Sequence, residues 1–247
     1  MSIFRIFLSS YVKNNIKDIH ARLINLEKSV DCLIENPKYV SSSNIGFNGQ
    51  NFRKKIFLDL LGAIDFQAIV ETGTYFGDTT GYMAEMSKLH IYSCELNQRF
   101  HSIAKTRLVD FQTIHLELED SRKFLKKLGR SELKQGNVFF YLDAHWYEDM
   151  PLVDEIRIIA RNWERFVVMI DDFMVPNDDG YGYDIYGKEK TFSLGLIENI
   201  VNEYDLIPFF PSLPSEKETG HKRGCVVLAS KTLSEKVSRI NSLTRDH

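Results

Sequence analysis

The sequence predicts an α/β protein with one doubly wound, mostly parallel sheet of seven strands and helices on both faces. Seven short apolar runs alternate with amphipathic segments over most of the chain, and several runs are bounded by Gly, Pro, Asn or Asp. Repeated strand–helix–strand units pair in parallel through right-handed crossovers. The length of 247 residues allows one large domain of this kind with an appendage.

The predicted strands are residues 67–70, 90–94, 113–116, 137–142, 166–170, 206–209 and 224–229. The predicted helices, one before the first strand and five between strands, are residues 52–64, 79–89, 98–108, 121–128, 153–162 and 193–203. Ligands of doubly wound sheets bind outside the carboxyl ends of the strands, where the strand order reverses. The functional residues are therefore expected at those ends.

Residues 1–45 are predicted to be a helix with a linker, and residues 46–247 the doubly wound domain. With Ile16 at position a of a heptad, Arg22 at g and Glu27 at e are placed to bridge two parallel helices. A dimerising coiled coil, which would make the chain a homo-oligomer, and a helix packed on its own domain both remain open. Pro37 and the serines at 41–43 break the helix. The apolar residues at steps of four and three are Val12, Ile16, Ile19, Leu23, Leu26, Val30 and Leu33.

Composition excludes several classes of protein. Lys and Arg number 31 against 34 Asp and Glu, a net charge of −3, which gives no basic footprint for nucleic acid. Three scattered cysteines, Cys32, Cys94 and Cys225, form neither a disulfide framework nor a CxxC site, so a cytoplasmic location is expected. No apolar run approaches the roughly 18 residues of a membrane span. The apolar start at 3–8 is interrupted by Arg5, which argues against a signal peptide and leaves peripheral membrane contact as an alternative.

The first predicted strand leads into a glycine-containing turn, Glu-Thr-Gly-Thr-Tyr-Phe-Gly-Asp-Thr at residues 71–79. A dinucleotide-binding fingerprint requires a second glycine where this chain has Tyr75, so that the backbone can approach the pyrophosphate. Glu71 would also place a carboxylate near the phosphates. A cationic ligand without phosphate, such as S-adenosylmethionine, fits the turn better.

The spacing of Glu71, Gly73 and Gly77 resembles the first motif of the class I S-adenosylmethionine-dependent methyltransferases. The resemblance implies a Rossmann-like fold, S-adenosylmethionine as cofactor, and a Glu71 carboxylate that faces the ammonium group. It also implies that Gly73 lets the backbone pass the methionine moiety, with Thr74 beside it among the cofactor-binding residues. An ordinary strand-to-helix turn with Asp78 as N-cap would explain Gly77 but not Glu71.

Two further positions are predicted to bind the cofactor. Glu95 ends the second strand 22 residues after Gly73, close to the offset of about 20 residues at which an acidic side chain accepts ribose hydroxyls. Asp120 and Ser121 follow the third strand, where the resemblance implies contacts along the adenine edge. The same Asp-Ser pair also reads as a helix N-cap, and the two roles are compatible.

The fourth and fifth strands both end in carboxylates, at Asp143 and at the pair Asp171 and Asp172. If the strands are neighbours, the three carboxylates converge and repel unless a cation lies between them. Oxygen ligands of this kind suit Mg²⁺ or another hard divalent cation. The alternative is that they cap helices or form salt bridges with arginines of the following segment, Arg157, Arg161 or Arg165.

The order Leu-Asp-Ala-His-Trp-Tyr followed by Ile-Asp-Asp-Phe is similar to the metal-dependent sugar O-methyltransferases of the macrocin O-methyltransferase type. The resemblance implies metal ligands at Asp143, Asp171 and Asp172. Those enzymes carry an Asp where this chain has His145, so His145 is placed as the general base, with Asp143 also catalytic. A neutral imidazole accepts a proton from a hydroxyl better than an ionised Asp would. A structural role for His145 is the alternative.

Two more segments are predicted to border the acceptor. Residues 174–187 hold three Tyr and three Gly and little helix or strand pattern, which is typical of a mobile loop whose aromatic rings stack on a sugar. The sequence His-Lys-Arg at 221–223, just before the last strand, could meet an acceptor phosphate. A solvated turn is the other interpretation.

Together these residues predict an S-adenosylmethionine-dependent, Mg²⁺-assisted O-methyltransferase acting on a hydroxyl of a sugar or small polyhydroxylated acceptor. The methyltransferase resemblance extends over roughly residues 66–230, and the acceptor assignment depends on it entirely. An iron-dependent oxygenase using Asp143, His145 and His221 is one alternative. A non-catalytic assembly module that associates through the N-terminal helix is the other.

Overall fold

A computed structural model describes residues 45–144, 149–186 and 191–245, together with residues 16, 17, 19, 20, 22–24, 26–28 and 30, which are helical. It contains one sheet with helices on both faces, which confirms the predicted α/β architecture. Most of the predicted linker lies outside the described residues, so the domain boundary at 45/46 stays a prediction. In the described part of the chain, no helix has the length and apolarity needed to cross a bilayer.

Eight strands form the sheet, so the predicted number of seven is corrected. The eighth strand has two residues and is too short to be recognised as an apolar run. The order in space is β3-β2-β1-β4-β5-β7-β6-β8. The strands are β1 Ala68–Thr72, β2 His90–Glu95, β3 Ile114–Leu118, β4 Val138–Leu142, β5 Phe166–Ile170, β6 Ile207–Pro211, β7 Val226–Ala229 and β8 Leu243–Thr244.

The sheet is mostly parallel, as predicted. Strands β1 to β5 pair only in parallel with one another, whereas β7 runs antiparallel to both β5 and β6, and β8 is antiparallel to β6. The strand order reverses at β1, which lies between β2 and β4. In doubly wound sheets a ligand binds outside the strand ends at such a reversal. The ends of β1, β2 and β4 are therefore the expected site.

All six predicted helices are present, and one more follows β7. The helices are α1 Asn51–Ala63, α2 Asp78–Ser87, α3 Gln98–Arg107, α4 Ser121–Leu128, α5 Leu152–Asn162, α6 Leu194–Glu203 and α7 Lys231–Ser238. Short 3-10 turns lie at Phe47–Gly49, Glu132–Gln135 and Ser215–Lys217. The side chains of Asn97 and Asp120 accept hydrogen bonds from the first backbone N–H groups of α3 and α4, which fixes where those helices begin.

The two faces of the sheet are covered by different helices. Alternate residues of the central strands point to opposite sides, so Val70 and Phe140 pack against α4, α5 and α6, whereas Ile69 and Phe139 pack against α1, α2 and α7. All four of these side chains are fully buried. Each such side chain contributes about 1.5–3 kcal/mol to folding. The central strands are thereby held firmly enough to position the residues that follow them.

Candidate functional site

The carboxyl ends of β1, β4 and β5 lie side by side at one edge of the sheet. Their last residues are paired in register: Thr72, Leu142 and Ile170. The next residues, Gly73, Asp143 and Asp171, are therefore brought to the same level. Gly73 has a φ of +87°, and a Cβ atom there would collide with the carbonyl oxygen of Asp143. Only glycine lets β1 end this close to β4.

Glu71 lies at the end of β1 and is 1% exposed. Its Oε2 accepts hydrogen bonds from the hydroxyls of Ser93 at 2.5 Å and Thr80 at 2.6 Å. Its Oε1 receives no hydrogen bond from the described residues. Burial raises the pKa of Glu71 from 4.5 to about 7, although both hydroxyls act in the opposite direction. Thr74 is also buried, and its Oγ1 lies 2.6 Å from the Oγ of Ser93.

Glu95 ends β2 and lies beside the same turn. Its Oε2 accepts from the backbone N–H of Tyr75 and its Oε1 from that of Asn97, both at 2.8 Å. Tyr75 has a φ of +50°, an unusual value for a residue with a side chain. Burial raises the pKa of Glu95, and the backbone hydrogen bonds oppose this effect.

Glu71 and Glu95 share a feature that the sequence did not reveal. Their hydrogen-bond donors are neutral hydroxyl and amide groups, and no described lysine, arginine or histidine forms an ion pair with either of them. A buried carboxylate is costly unless a cation compensates it. This end of the sheet therefore favours a positively charged ligand.

The second glycine of the turn, Gly77, has a φ of +82° and stands at the N-cap position of α2. Asp78, which the simple-turn interpretation makes the N-cap, instead lies in the first turn of the helix. Its carboxylate forms an ion pair of 2.8 Å with the buried side chain of Arg107 on α3. The N-cap interpretation of Asp78 is therefore wrong.

Asp120 is the N-cap of α4, as the alternative interpretation of the Asp-Ser pair states. Its side chain accepts from the backbone N–H groups of Arg122 and Lys123, and it forms an ion pair of 2.7 Å with the guanidinium of Arg122. These bonds lower the pKa of Asp120, the hydrogen bond from Arg122 most of all. Ser121 is buried. Adenine contacts by Asp120 and Ser121 stay a prediction.

At the reaction end of the sheet, Asp171 follows β5 and is fully buried. Its Oδ1 accepts from the guanidinium of Arg53 on α1 and from the N–H of Asp172 at 2.7 Å. Its Oδ2 accepts from the hydroxyl of Tyr141 at 2.6 Å and from the amide of Asn48 at 3.2 Å. Both oxygens thus hold two donors each. No room is left on this carboxylate for a metal ion.

Asp172 follows Asp171 and has a φ of +54°, in the left-handed region. Its carboxylate pairs with the Nε of Arg223, and the Nη2 of Arg223 pairs with Asp184. Asp184 also accepts from the hydroxyl of Tyr186 at 2.9 Å. His221 is exposed in a turn, as the solvated-turn interpretation of residues 221–223 states, whereas Arg223 is ion-paired within the site. A contact of this segment with an acceptor phosphate stays a prediction.

The predicted Mg²⁺ site is not supported by this arrangement. Arg53 and Arg223 supply positive charge to Asp171 and Asp172, and Asp171 has no oxygen left to offer. Among residues 45–144, 149–186 and 191–245, no three His, Cys, Asp or Glu side chains are grouped as metal ligands. Asp171 and Asp172 form salt bridges, as the alternative interpretation states, but their partners are Arg53 and Arg223 and not the three arginines after β4 that the sequence suggested.

Asp143 lies in the middle of the edge, between Gly73 and Asp171. Burial, followed by the negative charges of Asp171 and Asp172, raises the pKa of Asp143 well above its usual range. His145, the predicted general base, lies outside the described residues. Its role stays a prediction.

The described part of the loop after β5 is anchored at several points. Its backbone bonds connect Asp184 to Asp172 at 2.9 Å and Gly182 to Lys222 at 2.9 Å. Tyr181 is 1% exposed and packs in the core, so its ring is not available to a ligand. Tyr181 is therefore excluded from stacking on a sugar, whereas the mobility of residues 174–187 stays a prediction, and residues 187–190 lie outside the described part.

Sequence reasoning missed Arg53, Tyr141 and Gln50. Arg53 is separated from Asp171 by 118 positions, and Gln50 from Arg223 by 173. Tyr141 was taken as part of an apolar strand. The sequence signal for Arg53 was an arginine on an amphipathic helix. A solvent-exposed arginine gives the same pattern, so the sequence could not identify Arg53 as a buried partner of Asp171.

Comparisons with known proteins bear on the fold. No protein-family model and no curated protein matches the sequence. The structure is similar to an O-methyltransferase from Bacillus cereus in complex with SAH, with a TM-score of 0.53, 14% identity, and 84% of this chain and 90% of that chain covered. It is also similar to the O-methyltransferase TomG of Streptomyces achromogenes in complex with SAM, with a TM-score of 0.53, 13% identity, and coverage of 83% and 89%.

Cofactor-bound Rv0187 from MTB has a TM-score of 0.51 and 16% identity, with 92% of this chain and 96% of that chain covered. At such identities the likeness establishes the fold alone. This chain therefore has the Rossmann-like methyltransferase fold.

Proposed function

We propose that this chain is an S-adenosylmethionine-dependent O-methyltransferase. The observation that carries the proposal is Glu71, a buried carboxylate with one oxygen that the described residues leave without a hydrogen bond and with no cationic partner among them. Such a group is costly unless a ligand cation reaches it. The ammonium group of S-adenosylmethionine is a cation of that kind, and it requires no phosphate-binding backbone.

The residues present fit this cofactor. Glu71 would hold the ammonium group, and Glu95, whose two oxygens retain acceptor capacity beyond one N–H each, would hold the ribose hydroxyls. Gly73 and Thr74 would line the methionine moiety, Gly77 would start the helix beneath it, and Asp120 and Ser121 would border the adenine. S-Adenosylmethionine supplies an electrophilic methyl group when bound. The solved structures that share the fold with SAM or SAH bound support this assignment.

For the acceptor we propose a hydroxyl of a sugar or similar small polyhydroxylated molecule. The resemblance of the segments after β4 and β5 to the macrocin type supports it. Of the loop tyrosines, Tyr183 is partly exposed, and Tyr186 is held in place by Asp184. These two rings are the ones available to border a sugar.

Methyl transfer to a hydroxyl requires that its proton be removed as the oxygen–carbon bond forms. His145 is proposed as the acceptor of that proton, with Asp143, at the end of β4, as the second catalytic residue. The carboxylates do not fit a divalent cation, because Asp171 is saturated and Asp172 is paired with Arg223. No step of the proposed reaction passes through a metal ion.

The two alternatives are not favoured. An iron site formed by Asp143, His145 and His221 would leave Glu71 without a function. His221 also stands in a turn whose backbone N–H donates to the carbonyl of Asn48, 3.1 Å away, and its side chain is exposed. A non-catalytic module would need no uncompensated buried carboxylate.

Calorimetric titration of the full chain with S-adenosylmethionine and S-adenosylhomocysteine tests the proposal. We expect binding of both, weakened by about 1.5–3 kcal/mol in Glu95→Gln, because the variant loses a charged acceptor. Glu117→Gln, on the neighbouring strand β3, is the matched control and should bind normally. Absence of binding in the wild-type chain would overturn the function, and equal affinity in both variants would remove Glu95 from the site.

A further inference from the structure

The carboxylates at the ends of β4 and β5 have the composition of a metal site but the partners of an ion-pair network. We propose that the guanidinium of Arg223 takes the place of a divalent cation at this edge, so that the acceptor site operates without a metal. That this site takes a methyl acceptor rests on the proposed function, whereas the replacement of a metal ion by Arg223 rests on the contacts of the described residues.

The first contact is that of Asp171. Arg53 and Asp171 are 1% and 0% exposed, and three more donors complete the carboxylate. A metal ion could take Asp171 as a ligand only by displacing the buried Arg53, which would leave a charge uncompensated in the interior. Breaking such a buried pair costs about 3–5 kcal/mol. Asp171 is therefore committed to the protein.

The second contact is the fixed position of Arg223. Its backbone is held from both sides by the side-chain amide of Gln50, which donates to the Arg223 carbonyl at 2.8 Å and accepts from its N–H at 3.1 Å. Arg53 donates to the same carbonyl. The backbone of Arg223, three residues before β7, is thus fastened to the start of α1.

The third contact is the guanidinium itself. It bridges Asp172 and Asp184, the two carboxylates nearest the loop, and is 27% exposed. A guanidinium is planar, always charged and carries five N–H donors, of which two serve these carboxylates. Among the described residues this is the cation that faces the space above β5. It can donate to a hydroxylated acceptor from a position that a metal ion would otherwise occupy.

Mn²⁺ is a suitable probe, because its free concentration is read directly by electron paramagnetic resonance. We expect the full-length wild-type chain to bind no Mn²⁺ with a dissociation constant below about 1 mM. Arg223→Met should gain one Mn²⁺ site, since the guanidinium that bridges Asp172 and Asp184 is removed, whereas Arg223→Lys, the charge-preserving control, should gain none. Circular dichroism checks that the variants fold, and Arg223→Gln replaces the Met variant if that one does not.

Binding of one Mn²⁺ by the wild-type chain that is lost in Asp172→Asn would overturn the proposal. Failure of folded Arg223→Met to bind Mn²⁺ would also contradict the proposal, because Arg223 would then not be the group that excludes the metal ion. Titration of the same samples with S-adenosylhomocysteine reports the proposed function separately. A failure of one proposal is therefore distinguishable from a failure of the other.

A second inference concerns the N-terminal helix and rests on different residues. Its described seam residues Ile16, Ile19, Leu23, Leu26 and Val30 expose between 44% and 59% of their surface. The helix approaches α3, where the guanidinium of Arg99 donates to the carbonyl of Leu26 at 3.3 Å, but an open groove of about 660 Å³ separates Val30 from that helix. These five seam residues are therefore not buried on their own domain.

We infer that a second copy of this chain covers the seam, as a parallel two-stranded coiled coil. Ile16 and Val30 at a positions and Leu26 at a d position are the residue types that two parallel strands prefer, whereas Ile19 at d and Leu23 at a also occur in coiled coils of more strands. The charges at g and e therefore decide for two strands. Arg22 at g of one copy and Glu27 at e of the other are complementary in charge at the spacing of such a pair. No other class of partner is needed to explain this pattern.

Light scattering of the full chain tests the dimer. Leu23→Asp should convert it to a monomer, whereas the matched control Ile24→Asp, one residue off the seam, should leave it dimeric. Arg22→Glu alone or Glu27→Arg alone should weaken the dimer. The double variant, in which the two charges are exchanged, should restore it. A monomeric wild-type chain, or equal effects of the two Asp substitutions, would overturn the inference.

Discussion

Carboxylates end the strands in both halves of the sheet edge, but the two halves satisfy them differently. Glu71 and Glu95, at the ends of β1 and β2, accept from hydroxyl and amide groups, which bring no positive charge to them. Asp171 and Asp172, after β5, are paired with arginines, which cancel it. The first half can therefore attract a cationic ligand, and the second has its cation built in. Whether a carboxylate at a strand end can bind a metal ion therefore depends on the hydrogen-bond donors and cations that already contact it.

The largest effect is expected at the proposed base. His145→Ala should lower methyl transfer by roughly 10²–10⁴-fold, the usual contribution of a general base, while affinity for S-adenosylmethionine is retained. Wild-type turnover should rise with pH, because only the neutral imidazole accepts a proton. Steady-state rates between pH 5 and 8 check this. If His145→Ala keeps the fall in rate at low pH, or loses less than tenfold in methyl-transfer rate, His145 has a structural role.

The second-largest effect is expected in the free energy of unfolding, when Asp171 and Glu71 are each replaced by the corresponding amide. Asp171→Asn leaves the buried guanidinium of Arg53 without a counter-charge and should lower the free energy of unfolding by about 3–5 kcal/mol. Glu71→Gln is the matched change in the other half, where no cation depends on the carboxylate. It should cost less than about 1 kcal/mol, since the hydroxyls can still donate to the amide oxygen.

Urea unfolding of both variants at pH 7 measures the difference. Equal losses would mean that Glu71 supports the fold as strongly as Asp171 does, and the comparison between the two halves would fail. A small loss in Asp171→Asn alone would mean that solvent reaches Arg53. Circular dichroism of the folded variants serves as the control for native structure.

The fold was predictable because it depends on local patterns. Apolar runs and amphipathic periods located strands β1 to β7 and helices α1 to α6, whereas β8 and α7 gave too little signal. In the site, Glu71 and Glu95 were predictable as functional candidates, since each stands at a fixed offset from one glycine turn. Their placement at the edge is observed, and their contacts with a cofactor stay predictions.

The partners of Asp171 and Asp172 were not predictable. Arg53 and Arg223 lie 118 and 51 positions away from them, on elements that reach the edge only after the sheet has formed. From the sequence, three carboxylates needed a cation, and a metal ion and an arginine satisfy that need equally well. The choice between them is a property of tertiary structure.

The smallest expected effect is the pH dependence that Glu71 gives to the free energy of unfolding. The pKa of Glu71 is about 7 in the folded chain against 4.5 for the unfolded chain. Between these values the folded state binds more protons than the unfolded state, so the free energy of unfolding falls as pH rises from about 4.5 to 7. Glu71→Gln should remove that part of the slope.

The same group links pH to cofactor affinity with the opposite sign. A cation beside Glu71 favours the ionised form, so binding releases a proton, and affinity for S-adenosylmethionine should rise by at most tenfold per pH unit before levelling above about pH 7. The ammonium group of the cofactor, with a pKa near that of an α-amino group at about 7.7–8.0, stays charged below pH 7 and does not contribute. Calorimetry between pH 5.5 and 7.5, in buffers of different ionisation enthalpy, counts the proton. An affinity independent of pH in the wild-type chain, or a slope unchanged in Glu71→Gln, would place the ammonium group elsewhere.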